Sequence, residues 1–279
     1  MLTVGGSVEN PDGERTLMPY IDLADGGRLF FTEEGAGRPV LLIHGWACDG
    51  SDWAWLQADL AADHRAIAID NRGHGRSSRS ETYSPAAFAA DAAEVIERLE
   101  LGPTLVMGHS MGTIIASALA IRRPELVSGL VLVDPVYGAD PAVMAGALRM
   151  ARADPHGFTV AAWAPFYGAR TPAWLPIWHR RRTLATDPHT VSEALAGLYE
   201  GEGGLGLASV GERELVKRQA PTLALYAGTG QAIADWDGAL EHRAPYEIEI
   251  WPENGHFLHQ EDPERFAARV RSWLAASEV

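Results

Sequence analysis

Residues 104–112 read Thr104-Leu105-Val106-Met107-Gly108-His109-Ser110-Met111-Gly112, and the order of these residue types decides the fold. An apolar run suited to a buried strand ends in a G-x-S-x-G pentapeptide. From Met111 to Arg123 the pattern becomes helical and stops before Pro124, where a proline ends a helix. The pentapeptide marks a sharp strand-to-helix turn that lifts the serine hydroxyl out of the sheet. Glycine at both outer positions removes side chains that would clash in so tight a turn. Ser110 is therefore the candidate nucleophile.

On either side the same strand–helix rhythm continues. Arg28 to Thr32, Pro39 to Ile43, Arg65 to Asp70, Thr104 to Met107 and Gly129 to Val133 read as strands. Helical spacing of apolar residues fills Asp52 to Ala62 and Ala86 to Leu101, the latter opened by Ser84-Pro85 as N-cap and first-turn proline. Alternation of this kind predicts βαβ units and a mostly parallel sheet, and a continuous apolar strand such as Val40-Leu41-Leu42-Ile43 predicts that both faces are covered. After Asp134 the rhythm breaks. Pro135 to Gln219 holds no strand pattern, but has prolines, helical patterns at Met144 to Ala153 and Val191 to Tyr199, and a glycine-rich loop from Gly201 to Gly211. Strands return at Thr222 to Ala227 and Tyr246 to Trp251, and Pro263 to Ala276 is a closing helix. The reading is an α/β core, residues 1–134 and 220–279, interrupted by a helical cap, residues 135–219.

Composition narrows the partners. The 279 residues carry 23 Lys+Arg against 37 Asp+Glu, a formal charge of −14, and that field repels phosphate backbones and anionic lipid. Nucleic acid and membranes are not expected partners, and the short run Arg180-Arg181-Arg182 reads as a solvated face. Cys48, the only cysteine, allows no internal disulfide and no thiolate zinc site. Met1 to Pro19 lacks the basic start and apolar centre of a signal peptide, so a soluble, cytoplasmic protein is the expectation. The sequence assigns no oligomeric state.

A serine nucleophile needs a base. Of ten histidines, His256 is best placed, just past the last strand at the carboxyl edge of a parallel sheet, where such folds bind their ligands. His44 and His74 sit in glycine-containing turns and read as loop-shaping residues. The His109 side chain is expected to point away from the nucleophile, and His259 reads as packing. Negative charge developing on a carbonyl oxygen needs backbone N–H donors; Met111, directly after the serine, and Trp46, in the loop after Val40 to Ile43, are the candidates. Cys48 reads as a small wall residue.

His44-Gly45-Trp46, Asp70-Asn71-Arg72-Gly73-His74-Gly75-Arg76-Ser77, Gly108 to Gly112 and Gly255-His256 together resemble the α/β-hydrolase superfamily, from about Tyr20 to the end of the chain. The resemblance implies an eight-stranded, mostly parallel sheet with a helical cap between strands six and seven. It also implies Ser110 as nucleophile, His256 as base, and Trp46 and Met111 as oxyanion donors. One position departs from the pattern. The acid that orients the histidine commonly follows strand seven in a Gly-x-x-Asp turn, and here that turn is Gly228-Thr229-Gly230-Gln231. A neutral glutamine cannot stabilise an imidazolium. Asp134, after strand six, falls where haloalkane dehalogenases and zearalenone-type macrolactone hydrolases carry the acid; Asp235 and Asp237 are the alternatives.

A serine rather than an aspartate nucleophile points to acyl transfer. The expectation is a cofactor-independent, metal-free hydrolase of an apolar small-molecule ester or lactone. Trp163, Trp174 and Trp178 of the cap are candidate pocket walls, with packing of cap onto core as their other reading. A carbon–carbon bond hydrolase acting on a ketone, and a ligand-binding, receptor-like protein suggested by Gln231, are the alternatives.

Overall fold

Alternate residues of the central strands point into two different apolar layers, and that alternation sets the architecture. Leu41, Ile43, Ile67, Ile69 and Val106 face one layer and Val40, Leu42, Ala66, Ala68, Leu105 and Met107 the other, all of them buried. The computed structural model of the chain describes residues 7–9, 15–17, 19–201 and 203–277. Much of the Met1–Pro19 segment read for a leader pattern lies outside the described residues. Ser7–Glu9 and Arg15–Leu17 form an antiparallel hairpin.

The main sheet has eight strands: β1 (Tyr20–Asp22), β2 (Arg28–Glu34), β3 (Arg38–Ile43), β4 (His64–Ile69), β5 (Thr104–His109), β6 (Val127–Val133), β7 (Thr222–Ala227) and β8 (Tyr246–Trp251). Their order is β8-β7-β6-β5-β3-β4-β2-β1. β1 and β2 join antiparallel at one edge, and β3 to β8 run parallel. Helices α2 (Pro85–Arg98) and α3 (Met111–Arg122) cover the first layer through Phe88, Ile114 and Leu119. On the other face lie α1 (Ala54–Leu60) and the last helix (Pro263–Ser277), through Leu56, Leu60, Phe266 and Trp273. Burying one such side chain contributes about 1.5–3 kcal/mol.

Between β6 and β7 the chain makes five helices: α4 (Pro141–Ala153), α5 (Pro155–Trp163), α6 (Leu175–Ala185), α7 (Pro188–Tyr199) and α8 (Ala208–Glu214). Asp140, Asp154 and Asp187 cap α4, α5 and α7, each accepting from first-turn N–H groups. Part of the expected glycine-rich loop is helical, because α8 begins at Ala208. A backbone bridge between Ala139 and Leu207 ties the entry of this insertion to its exit. Among the described residues, no helix is long and apolar enough to cross a membrane.

Candidate active site

The parallel strands deliver their carboxyl ends to one edge. There Asp134 meets His256, and Ser110 stands on its own turn with no side-chain hydrogen bond to either among the described residues. Ser110 follows β5 and is the N-cap of α3. Its backbone sits at φ 52°, ψ −114°, and its side chain makes no capping hydrogen bond. A non-glycine residue at positive φ is costly and persists only where its surroundings hold it. Here the Ser110 N–H donates to the Val133 carbonyl at 2.9 Å, and the Ser110 carbonyl accepts from the Thr113 hydroxyl at 2.6 Å. The flanking glycines are required by contact. A Cβ on Gly108 would lie 2.2 Å from the Gly112 carbonyl oxygen, and one on Gly112 would lie 2.2 Å from the Ile43 carbonyl oxygen.

Asp134 ends β6 with φ 45°, its N–H bound to the Leu225 carbonyl at 2.7 Å. One carboxylate oxygen accepts from the Ala227 N–H at 2.8 Å. The other lies 2.5 Å from Nδ1 of His256. Both side chains are buried. Gly230 closes over the pair, since a Cβ there would be 3.0 Å from the Asp134 carboxylate. Gln231 instead bonds Asp235 at the surface. Asp237 is buried against Arg218, Tyr226 and Tyr246. Neither alternative acid is brought to His256.

The His256 loop is clamped by the insertion. Its N–H donates to the Phe166 carbonyl at 2.8 Å, and the Phe166 ring lies 4.5 Å from the imidazole, centroid to centroid. Gly255 has no room for a side chain, because a Cβ would sit 2.4 Å from the Phe166 carbonyl oxygen. Its N–H donates to the buried Glu261 carboxylate at 2.7 Å. The His109 side chain runs under this loop, its Nε2 donating to the His256 carbonyl at 2.9 Å. That bond makes Nε2 the protonated nitrogen, and burial pushes the His109 pKa well below its ordinary value, with nearby His256 and His259 adding to the effect. The contact joins positions 147 apart in the chain, which no local pattern could signal.

The loop after β3 leans over Ser110. A Cβ on Gly45 would be 3.3 Å from the Ser110 Cβ. His44 holds this loop as a neutral ring: Nδ1 donates to the Gly45 carbonyl at 2.7 Å, and Nε2 accepts from the Asn71 N–H at 2.9 Å. Burial, with His74 nearby, lowers its pKa to about 3. The Trp46 indole donates to the Val191 carbonyl of α7 at 2.7 Å. Met111, first in α3, has no intrahelical acceptor for its N–H.

The three cap tryptophans divide. Trp163 is buried edge-on against Trp46 and His179. Trp174 and Trp178 are 49% and 44% exposed, and Trp178 borders a surface cleft with Asp49, Ala54 and Arg182 whose lining does not include Ser110. On the inner side of α6, Arg182 is buried and paired with Asp52, which corrects the reading of the whole arginine run as solvated. Burial alone would raise the Asp52 pKa, but Arg182 outweighs it and holds the carboxyl well below its ordinary value. Cys48, Asp52 and His179 offer ligand atoms within 4.8 Å of one another. These donors do not fit a metal ion. Burial pushes the Cys48 thiol far up, Arg182 already neutralises Asp52, and the His179 nitrogens meet Tyr167 and Gln260 at 3.2 Å each.

A family model described as the alpha/beta hydrolase family matches residues 40–269. A putative non-heme bromoperoxidase, BpoC, of Mycobacterium tuberculosis is 42% identical over 106 residues, which are 37% of this chain and 40% of that protein; the match thus spans two fifths of the relative. An esterase from Exiguobacterium antarcticum superposes with a TM-score of 0.80 at 20% identity, covering 92% of this chain and 98% of that one. An enol-lactonase from Burkholderia xenovorans LB400 superposes at 0.76 with 20% identity, covering 92% and 100%. At such identities these two structures speak for the fold alone.

Proposed function

Because the chain belongs to the alpha/beta hydrolase family, we propose that it is a serine hydrolase that cleaves a carboxylic ester or lactone of an apolar small molecule through an acyl-enzyme. The observation that carries this reading is the 2.5 Å contact between His256 Nδ1 and Asp134, on the sheet edge that also carries a half-buried serine held at φ 52° with its side chain uncommitted to the helix cap. Ser110 Oγ attacks the substrate carbonyl, and its proton passes to Nε2 of His256. Asp134 fixes the tautomer and stabilises the imidazolium. The N–H groups of Met111 and Trp46 receive the developing oxyanion. The leaving alkoxide takes the proton from His256 and departs as alcohol, and in a lactone it stays tethered to the acyl group. Water, activated by the same histidine, then releases the acid. Hydrogen bonds between nucleophile and base are commonly loose in unliganded enzymes and tighten with substrate.

The contact of Asp134 with His256 supports it as the acid that Gln231 does not supply, and so weighs against the receptor-like alternative that Gln231 suggested. Among the structural neighbours are an esterase and an enol-lactonase, both within the proposed substrate class. The test is turnover of a panel of nitrophenyl esters and lactones of rising apolar bulk, with Ser110→Ala as control. Turnover that is lost in Ser110→Ala supports the reading. A folded protein that hydrolyses none of them, but cleaves a vinylogous diketone, would transfer the same residues to carbon–carbon bond hydrolysis.

A further inference from the structure

Helix α6 is inside out. Its buried side is partly polar, with His179, Arg182 and Thr183 facing the protein beside Leu175, while Ile177, Trp178 and Leu184 face outward at 55%, 44% and 57% exposure. Trp174, its N-cap, is 49% exposed on the same side. The spacing 174, 177, 178, 181, 184 is that of one helical stripe. Seven of the eight large apolar residues found exposed among the described ones lie in the insertion, with Val143 and Met150 on α4 and Val160 on α5. Of these, Trp174, Ile177, Trp178 and Leu184 share one side of α6, and an exposed apolar patch of this sort marks a surface that meets something.

Charge identifies the partner. Pro141 to Ala185 holds six arginines and one aspartate in a chain whose net charge is −14. Three of the six are committed: Arg152 to Glu193 and Glu200, Arg170 to Glu253 and Asp262, and Arg182 to Asp52. Arg149, Arg180 and Arg181 are exposed and form no ion pair among the described residues. Two copies meeting through this face about a two-fold axis would bring those arginines together, which opposes self-association. A stripe of tryptophan and isoleucine flanked by free arginines instead suits the headgroup region of a lipid layer. We propose that the outer face of α6 docks the protein on a lipid surface bearing anionic headgroups, with Trp174, Ile177 and Trp178 entering the interface and Arg180 and Arg181 meeting phosphates. Charges farther away than about 10 Å are screened at ordinary salt, so the local balance decides. Glu34, Asp49 and Asp70 border the cleft that Trp178 and Arg181 share, with Asp49 3.5 Å from Arg182, which leaves Arg180 and Arg181 as the cations turned to the lipid. This inference does not depend on the reaction assigned to Ser110.

Co-sedimentation with vesicles tests it, comparing phosphatidylcholine alone with phosphatidylcholine mixed with phosphatidylglycerol. The protein is expected to pellet with the anionic vesicles, less at high salt and little with phosphatidylcholine alone. Ile177→Ser with Trp178→Ser should abolish pelleting. Arg180→Gln and Arg181→Gln should each weaken it about five-fold. Trp55→Ser, at a 66% exposed tryptophan on α1, should leave it unchanged. Circular dichroism confirms that each variant is folded. Failure of the wild-type chain to bind anionic vesicles, binding indifferent to the α6 variants, or a dimer in sedimentation velocity that these variants dissolve in a protein that ignores vesicles, would each overturn the proposal.

Discussion

Acid should unfold this protein well above the pH at which carboxylates titrate, because five histidines are held neutral inside it. Burial lowers His44 and His259 to about 3 and His74 and His179 to about 4, from an ordinary 6.5; His109 is pushed well below that value by burial. The unfolded chain takes up protons at these rings as pH falls through 6.5, and the folded chain does not. Stability present above pH 6.5 is therefore lost on acidification. By about pH 5 each of the four rings held near 3 or 4 has cost about 2 kcal/mol, together about 8 kcal/mol, and His109 acts in the same direction. Asp70 works the other way. Burial raises it to about 6, against the N–H groups of Arg76 and Gly50 that favour its charge, so the folded state gains a proton there first, returning about 1 kcal/mol at the same pH. The net loss matches the whole stability of a typical domain, about 5–15 kcal/mol. Near-UV circular dichroism across a pH series should show cooperative unfolding centred near pH 5, with uptake of four to five protons measured by indicator dye, as linkage requires. A native spectrum retained at pH 4 would refute the neutral-histidine reasoning.

Other consequences are local. Asp134→Asn should stay folded and lose about three to four orders of magnitude in kcat on an ester, read in a steady-state assay; near-normal turnover would remove Asp134 from its role. Gln231→Ala, which breaks only a surface bond to Asp235, should change stability by less than about 0.5 kcal/mol and leave kcat as it was. Arg182→Ala strands the buried Asp52 carboxylate and should cost about 3–5 kcal/mol, seen as a fall in the urea midpoint at unchanged slope.

What could be read in advance follows from the range of the forces involved. β7 and β8 have the bounds expected, Thr222 to Ala227 and Tyr246 to Trp251, because a buried parallel strand announces itself as an apolar run between turn residues. The elbow was legible because Gly108 and Gly112 are imposed by contacts of 2.2 Å. Asp134 was reachable only through the absence of an acid at Gln231. Helix α6 was missed because its apolar residues are interleaved with charge: His179, Arg180, Arg181 and Arg182 interrupt Leu175, Ile177, Trp178 and Leu184, so no clean amphipathic pattern exists to be recognised. The fate of Arg182 was equally hidden, since its partner Asp52 lies 130 positions away. His109 reaches His256 across a similar separation, so its tether appears only once β5 and the loop after β8 are side by side.

The central claim is that Ser110 is an activated nucleophile. Labelling of the purified protein by a fluorophosphonate probe, followed by intact-mass analysis, tests it most directly. One adduct per chain is expected, absent in Ser110→Ala and strongly slowed in Asp134→Asn. A folded wild-type protein that takes up no probe, or Ser110→Ala labelled at the wild-type rate, would contradict it.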